Sequence, residues 1–311
     1  MRSHRVPGLR QKYKDGINMD ARKRLKEMLH NDETYFVPGI FDCIGALAAE
    51  KVGFAAALVS GNAVSASFAG LPDMGLLTMS EVTDVSGRIA RSVKIPVIAD
   101  ADTGYGQPLN FMRTIQEFER GGVAGVHIED QISPKKCAYY GGEHEVVTTE
   151  EYLCKLKAGL AARKSEDFCI IARTDALISY GMDEAVKRAN LYLEAGADAT
   201  FVVGCKTLDD IKTVAARVNG PVIININDES PLNQYSYEVF HELGIKMVLY
   251  PAVLRNLFLR QAVDTLTVLK DQGNTQEKLD RMATLAEFQE ATHLKEYQDI
   301  EYKYAVEKGD S

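Results

Sequence analysis

The chain lacks any run of about 20 uncharged apolar residues, the length a helix needs to cross a bilayer, so no membrane partner is expected. Proline is scarce, 9 of 311 residues, and hydrophobic residues make up 46%, which excludes a collagen-like or wholly disordered chain. Basic charge is the minority: 36 Lys and Arg face 44 Asp and Glu, a net charge of −8, and no nucleic-acid partner is expected. No Cys-x-x-Cys occurs. The five cysteines, Cys43, Cys137, Cys154, Cys169 and Cys205, are odd in number and widely spaced. A disulfide framework and a structural zinc site are both disfavoured, and mostly buried thiols in a reduced, cytoplasmic compartment are expected. Residues 1–24 are basic without an apolar core, so no secretory signal is read there.

What is present is alternation. Short apolar runs stand at Tyr35–Ile40, Ala55–Ser60, Pro96–Asp100, Gly125–Glu129, Phe168–Arg173, Thr200–Val203, Pro221–Ile226 and Lys246–Tyr250. Apolar at nearly every position, they read as strands buried on both faces, as in a parallel sheet. Helical periodicity fills the gaps, most clearly at Met79–Arg91, Pro108–Arg120, Thr149–Arg163, Met182–Ala195 and Leu208–Val218. Thr78, Thr148 and Thr207 stand at N-cap positions, and Glu151 would complete a capping box with Thr148. Gly53, Gly122, Gly196 and Gly244 follow helical runs, where a residue of positive φ ends a helix.

Eight strand–helix units predict an α/β fold, a (β/α)8 TIM barrel, over residues 32–272. A doubly wound open sheet is the alternative. It requires a glycine-rich phosphate turn after the first strand, and Val37-Pro38-Gly39-Ile40-Phe41-Asp42 lacks one. Residues 1–31 form an N-terminal extension with one short helix, Ala21–His30. Residues 273–311 form a C-terminal helical extension, in which Tyr297, Ile300, Tyr304 and Ala305 keep a 3/4 spacing suited to packing on a partner subunit.

Barrel enzymes carry their chemistry at the C-terminal ends of the strands. Asp100, Asp102, Glu129 and Asp73 are four carboxylates expected at that mouth. Like charges brought together require a cation or a raised pKa, and hard oxygen donors favour Mg²⁺ or Mn²⁺ over Zn²⁺. Asp130, beside them, is read as a structural acid. Cys137 follows Lys135 and Lys136 in a polar loop; two ammonium groups would lower the thiol pKa and let it exchange protons. Arg173 ends an apolar strand, where a guanidinium needs a carboxylate or a substrate anion. His127 is read as a hydrogen-bonded supporting group. Ser60-Gly61-Asn62 offers backbone N–H groups to a carboxylate.

In order and spacing, the segments from Val59 to Thr78, Val97 to Gly106 and Gly125 to Cys137 resemble the isocitrate lyase/phosphoenolpyruvate mutase superfamily. Arg173-Thr174-Asp175 and the late Arg281-Met282-Ala283-Thr284-Leu285 extend the resemblance from about Phe36 through Tyr304. It is closest to the branch containing 2,3-dimethylmalate lyase, oxaloacetate hydrolase and the petal death protein. The resemblance implies a Mg²⁺- or Mn²⁺-dependent barrel with its eighth helix swapped between subunits, in a homotetramer built as a dimer of dimers. Asp100 would bind metal directly, and Asp102, Glu129 and Asp73 would hold its waters. Ser60, Gly61 and Asn62, with Arg173 and Asn225, would bind a small carboxylate substrate. Lys135 and Cys137 would ride a gating loop, with Cys137 as general acid.

The implied activity is carbon–carbon cleavage of a small 2-hydroxy or 2-keto di- or tricarboxylate through an enolate-like intermediate. The mutases of the family carry asparagine where Cys137 stands. The alternatives are phosphonopyruvate-type P–C chemistry, oxaloacetate hydrolysis or decarboxylation, and a non-catalytic carboxylate-binding barrel. Two departures matter. Ala138-Tyr139 replaces the Gly-His usual after the cysteine, which would change the loop and the surface facing substrate and makes Tyr139 a candidate substrate-binding residue. Val203 stands where lyases of the family usually carry a glutamate, which would free Arg173 for a substrate anion.

Overall fold

A computed structural model describes residues 20–137, 140–141 and 144–305. The expectations for residues 1–19, Ala138 and Tyr139 fall outside these.

Eight parallel strands close into a barrel in sequence order: β1 (Tyr35–Ile40), β2 (Ala57–Val59), β3 (Val97–Asp100), β4 (Gly125–Glu129), β5 (Cys169–Thr174), β6 (Ala199–Val202), β7 (Val222–Asn225) and β8 (Met247–Tyr250). Closure comes from β1 pairing with both neighbours, Gly39 opposite Leu58 and Phe36 opposite Val248. This is the expected (β/α)8 barrel. Every expected strand is present, because a strand with core on both faces must be apolar at successive positions.

The helices are α1 (Ala21–His30), α2 (Cys43–Val52), α3 (Gly61–Val64), α4 (Met79–Ser92), α5 (Pro108–Gly121), α6 (Thr149–Ala162), α7 (Ala176–Glu194), α8 (Leu208–Arg217) and α9 (Tyr237–Glu242). Thr78, Thr148 and Thr207 each accept the backbone N–H of the third residue on, Glu81, Glu151 and Asp210. The boxes close at Thr78 and Thr207 but not at Thr148, where the Glu151 carboxylate lies 3.2 Å from Lys155 Nζ instead. Helix α7 starts earlier than its periodicity predicts, since one turn precedes a break at Gly181 (φ 84°). Of the four other thiols expected to be buried, Cys169 is; Cys43 and Cys205 are half-buried, and Cys154 is exposed on α6.

The core forms in three parts. Helices α4–α6 pack on one side of the barrel through Ile89, Phe111, Ile115, Phe118 and Tyr152. Helices α7–α9 pack through Val186, Ile211, Val214 and Phe240. Inside the barrel, Val37, Leu58, Ile98, Ile171, Phe201, Ile223 and Leu249 join Leu25, Met28 and Leu29 of α1. Leu25 lies against Gly125, the first residue of β4, so α1 plugs the N-terminal mouth. That leaves the C-terminal mouth for chemistry.

The chain divides into two compact units, Met1–Arg255 and Asn256–Ser311, the boundary falling inside α10 (Val253–Gln272). The second unit continues through a 3₁₀ turn (Gln276–Arg281), α11 (Leu285–Ala291) and α12 (Leu294–Tyr304). Within it Lys278 Nζ binds Asp264 at 2.9 Å. No residue of α10, α11 or α12 is buried. Among the described residues no helix is long and apolar enough to cross a membrane.

Candidate active site

The strand ends place the polar residues. Asp100 ends β3 and Glu129 ends β4; Arg173 lies one residue from the end of β5, and Asn225 ends β7. Ser60, Asn62, Asp73, Asp100, Cys137, Arg173 and Asn225 line one cavity of about 580 Å³, open solvent at its mouth included. Its apolar lining is Leu58, Phe201, Val203, Leu249, Pro251 and Ala252. The size suits a small organic acid.

The turn after β3 is bent to present its acids. Asp102 (φ 48°) and Tyr105 (φ 58°) both hold left-handed backbone, at about 1–3 kcal/mol each. Asp100 Oδ1 accepts the Asp102 N–H at 3.0 Å, and Glu129 donates its backbone N–H to the Asp102 carbonyl at 2.9 Å. Gly61 is required where α3 begins, because a Cβ there would meet Asp100 Oδ2 at 2.5 Å. Ser60 caps α3, its hydroxyl accepting the Ala63 N–H at 3.4 Å.

Lys135, expected from its place in the sequence to act on the thiol, is engaged with carboxylates. Its buried ammonium turns into the acid cluster, 2.7 Å from Asp102 Oδ1, 3.0 Å from Asp73 Oδ1 and 3.6 Å from Asp100 Oδ2. The acids outnumber it, and a long cationic stem follows the charge. Cys137 is buried, and its Sγ accepts from Asn62 Nδ2 at 3.3 Å. The Asn62 side-chain oxygen meets Arg255, a cavity residue that sequence reading missed. The Tyr140 hydroxyl accepts from the Asp73 N–H at 3.2 Å.

Arg173 is not freed by Val203. Asp175 grips it twice, Nε to Oδ2 at 2.8 Å and Nη2 to Oδ1 at 2.9 Å, and Glu129 Oε2 lies 2.7 Å from Nη1. Asp175 and Glu129 thus hold Arg173 although Val203 offers it no carboxylate. Two of the five Arg173 N–H groups are committed to Asp175, and the Glu129 carboxylate adds an ion pair at Nη1. Asp130 braces the turn: it accepts from the Thr174 hydroxyl at 2.8 Å, the Asp175 N–H at 3.0 Å and the Tyr192 hydroxyl at 2.9 Å, and pairs with Arg188 at 3.2 Å.

Burial pushes the Asp100 carboxyl up, but Lys135, His127 and Arg173 outweigh it and hold it well below the usual carboxylate range. Burial pushes Asp102 up to about 6 against Lys135, with Asp100 and Asp73 adding to the rise. Burial raises Glu129 strongly, against Arg173 and Lys135. His127 is pushed down to about 4 by burial, and so is neutral at pH 7. Its Nδ1 lies 3.7 Å from Asp100 Oδ1 and has no hydrogen-bond partner among the described residues, contrary to the expected bonded role. Its ring packs edge-on against Phe201.

A divalent cation fits this donor set. Four buried carboxylates, Asp73, Asp100, Glu129 and Asp175, and the half-buried Asp102 face two buried cations, Lys135 and Arg173. Both Glu129 side-chain oxygens and the Tyr105 hydroxyl are buried without hydrogen bonds among the described residues. A hydrated ion would supply charge and donors together. Among the described residues no three such side chains converge as direct ligands on one point, which suits an ion held largely through its waters.

Residues 25–269 match the family described as phosphoenolpyruvate phosphomutase. The petal death protein of Dianthus caryophyllus is 38% identical over 289 residues, covering 93% of this chain and 91% of its own length. The 2,3-dimethylmalate lyase of Eubacterium barkeri is 35% identical over 288 residues, covering 93% and 99%. A crystal structure of phosphonopyruvate hydrolase in complex with oxalate and Mg²⁺ superposes with a TM-score of 0.83 at 28% identity, over 92% of this chain and 99% of that one. Order of strands, acids at their ends and matches along nearly the whole length agree: the chain belongs to the isocitrate lyase/phosphoenolpyruvate mutase superfamily, a group of metal-dependent lyases, mutases and hydrolases of C–C and P–C bonds.

Proposed function

We propose that this chain is a Mg²⁺- or Mn²⁺-dependent lyase that breaks a carbon–carbon bond in a small 2-hydroxy or 2-keto di- or tricarboxylate. One observation carries the reading: a buried thiol, Cys137, shares a cavity of suitable size with Asp100, Arg173 and Asn225. The similarity to a 2,3-dimethylmalate lyase supports it.

Asp100 would hold the ion directly, and Asp73, Asp102 and Glu129 would hold its waters. When bound, the ion supplies Lewis-acid stabilisation of negative charge on substrate oxygens. Ser60, Gly61 and Asn62 bind one end of the substrate. Arg173, fixed by Asp175 and Glu129, donates its remaining N–H groups to a carboxylate, and Asn225 donates beside it. In a 2-hydroxy diacid a base takes the hydroxyl proton. The oxygen pair then forms the C=O of a 2-keto acid as the C2–C3 bond breaks. The electrons of that bond go to C3 and delocalise into its carboxylate. Cys137 gives its S–H proton to C3, and Asn62 Nδ2 faces the thiolate left behind. Closure of the loop carrying Lys135 and Cys137 would keep water from the carbanion.

The apolar faces of α10 and α12 support assembly into a homotetramer, a dimer of dimers with α10 exchanged. Widely spaced cysteines fit a reduced, cytoplasmic setting.

The test is Cys137→Ser with Cys137→Ala on a panel of 2-hydroxy and 2-keto acids. Turnover should fall by about 100-fold or more, while Mg²⁺ and oxalate binding persist. Full activity in Cys137→Ala rules the acid out. Phosphate release from phosphonopyruvate, followed by phosphorus NMR, would move the assignment to P–C chemistry. Tight Mg²⁺-dependent oxalate binding with no turnover on the whole panel would favour a non-catalytic barrel.

A further inference from the structure

Gln131 is the first residue beyond Asp130, where the chain leaves β4 for the loop that carries Lys135 and Cys137. Its backbone is anchored, bridged to Val146 on the returning arm, and Ile132 donates its N–H to the Glu145 carbonyl at 3.0 Å. The residue is 3% exposed, and its side chain does two things at once. The amide oxygen accepts the Lys136 N–H at 2.9 Å, and Nε2 donates to the Lys136 carbonyl at 3.0 Å. The same Nε2 donates to Asp175 Oδ1 at 3.1 Å, the oxygen that also accepts from Arg173 Nη2 at 2.9 Å. Both amide hydrogens and the amide oxygen are therefore committed.

We propose that Gln131 is a positioning residue that links anion binding at Arg173 to the placement of Cys137, through Asp175 on one side and the Lys136 peptide on the other. The chemistry needs a primary amide at this place. Asp175 and the Lys136 carbonyl can only accept, and the Lys136 N–H can only donate. A glutamate has no hydrogen to offer either acceptor and sets a second negative charge beside Asp175. A leucine fills the space and makes none of the three bonds. Lys136 lies between Lys135, whose ammonium enters the acid cluster, and Cys137, whose thiol meets Asn62. Holding one peptide fixes both side chains. An anion that draws on Arg173 changes the pull on Asp175 and so on the clamp. Coupling of this kind is reciprocal.

The inference rests on Cys137 being the acid, and its test is independent of turnover. Cys137 alkylation by iodoacetamide is followed by peptide mass spectrometry, with and without oxalate and Mg²⁺, in the full chain and in Gln131→Leu and Gln131→Glu. Loss of the clamp should raise Cys137 alkylation in the absence of oxalate by about tenfold, the scale of two modest hydrogen bonds. The Kd of oxalate, by titration calorimetry, should weaken by less than about threefold, since Arg173 keeps its own partners. On an active substrate kcat should fall while KM barely moves. Equal alkylation rates in all three proteins overturn the proposal. Should the variants fold poorly, hydrogen exchange in the unaltered protein decides: the Lys136 amide should be protected, and more so with oxalate. Exchange at the rate of an open loop, unmoved by oxalate, overturns it. If Cys137→Ser retains turnover while Gln131→Leu still exposes the thiol, the acid assignment fails and the clamp stands.

Discussion

Lys135 is one ammonium set among three carboxylates, at 2.7, 3.0 and 3.6 Å. It lessens the negative charge that would draw in a divalent ion, so it competes with that ion as well as organising the acids. Lys135→Met should therefore tighten Mg²⁺ binding by about tenfold, on the scale of one charge at 3–4 Å in a partly screened site. Titration calorimetry on the metal-stripped protein checks this, and a weakened or unchanged Kd sinks it. Gly61→Ala should do the reverse. The added methyl displaces the Asp100 carboxylate, and Mg²⁺ affinity should drop by at least about tenfold while the fold persists. An unaltered Mg²⁺ Kd would show that Asp100 is not a ligand. At this scale the sequence is readable where position alone decides: Asp100, Glu129 and Asn225 end apolar strands and so face one mouth. Asp175 had a signal too, two residues after Arg173, where alternate residues of an extended chain share a face. The aim of Lys135 had none, because a flexible four-carbon stem takes its direction from tertiary neighbours. Arg255, at the start of α10, was equally hidden.

At the scale of elements, the strands were legible because burial on two faces leaves no room for polar alternation. The exact start of α7 was not, since Gly181 interrupts a pattern that otherwise continues. Helix α1 matters more than its length implies. Leu25 and Leu29 are fully buried, and Lys26 and Arg22 meet Asp198 at 3.2 Å and Glu119 at 3.4 Å. Leu25→Ala should cost about 2–5 kcal/mol, the range for removing a buried leucine side chain. Urea unfolding followed by circular dichroism measures it, and an unmoved midpoint would mean that α1 is no part of the cooperative core.

At the scale of the whole molecule, α10 keeps Leu259, Val263 and Leu266 at 65%, 57% and 60% exposure, an apolar row on an otherwise acidic protein. If that row is covered by a second copy, Leu266→Asp should shift sedimentation velocity toward smaller species; an unchanged distribution would sink the assembly reading. The plug of α1 has a further bearing on how such a barrel would be used. A vessel stoppered at its base has a single door. Substrate, both fragments of a cleavage and any exchanging water pass the same threshold, beneath the same loop. The fragment set deepest must wait for the one nearer the door. Departure is then sequential by construction, and a product held at the bottom would block the next arrival by competing for its place.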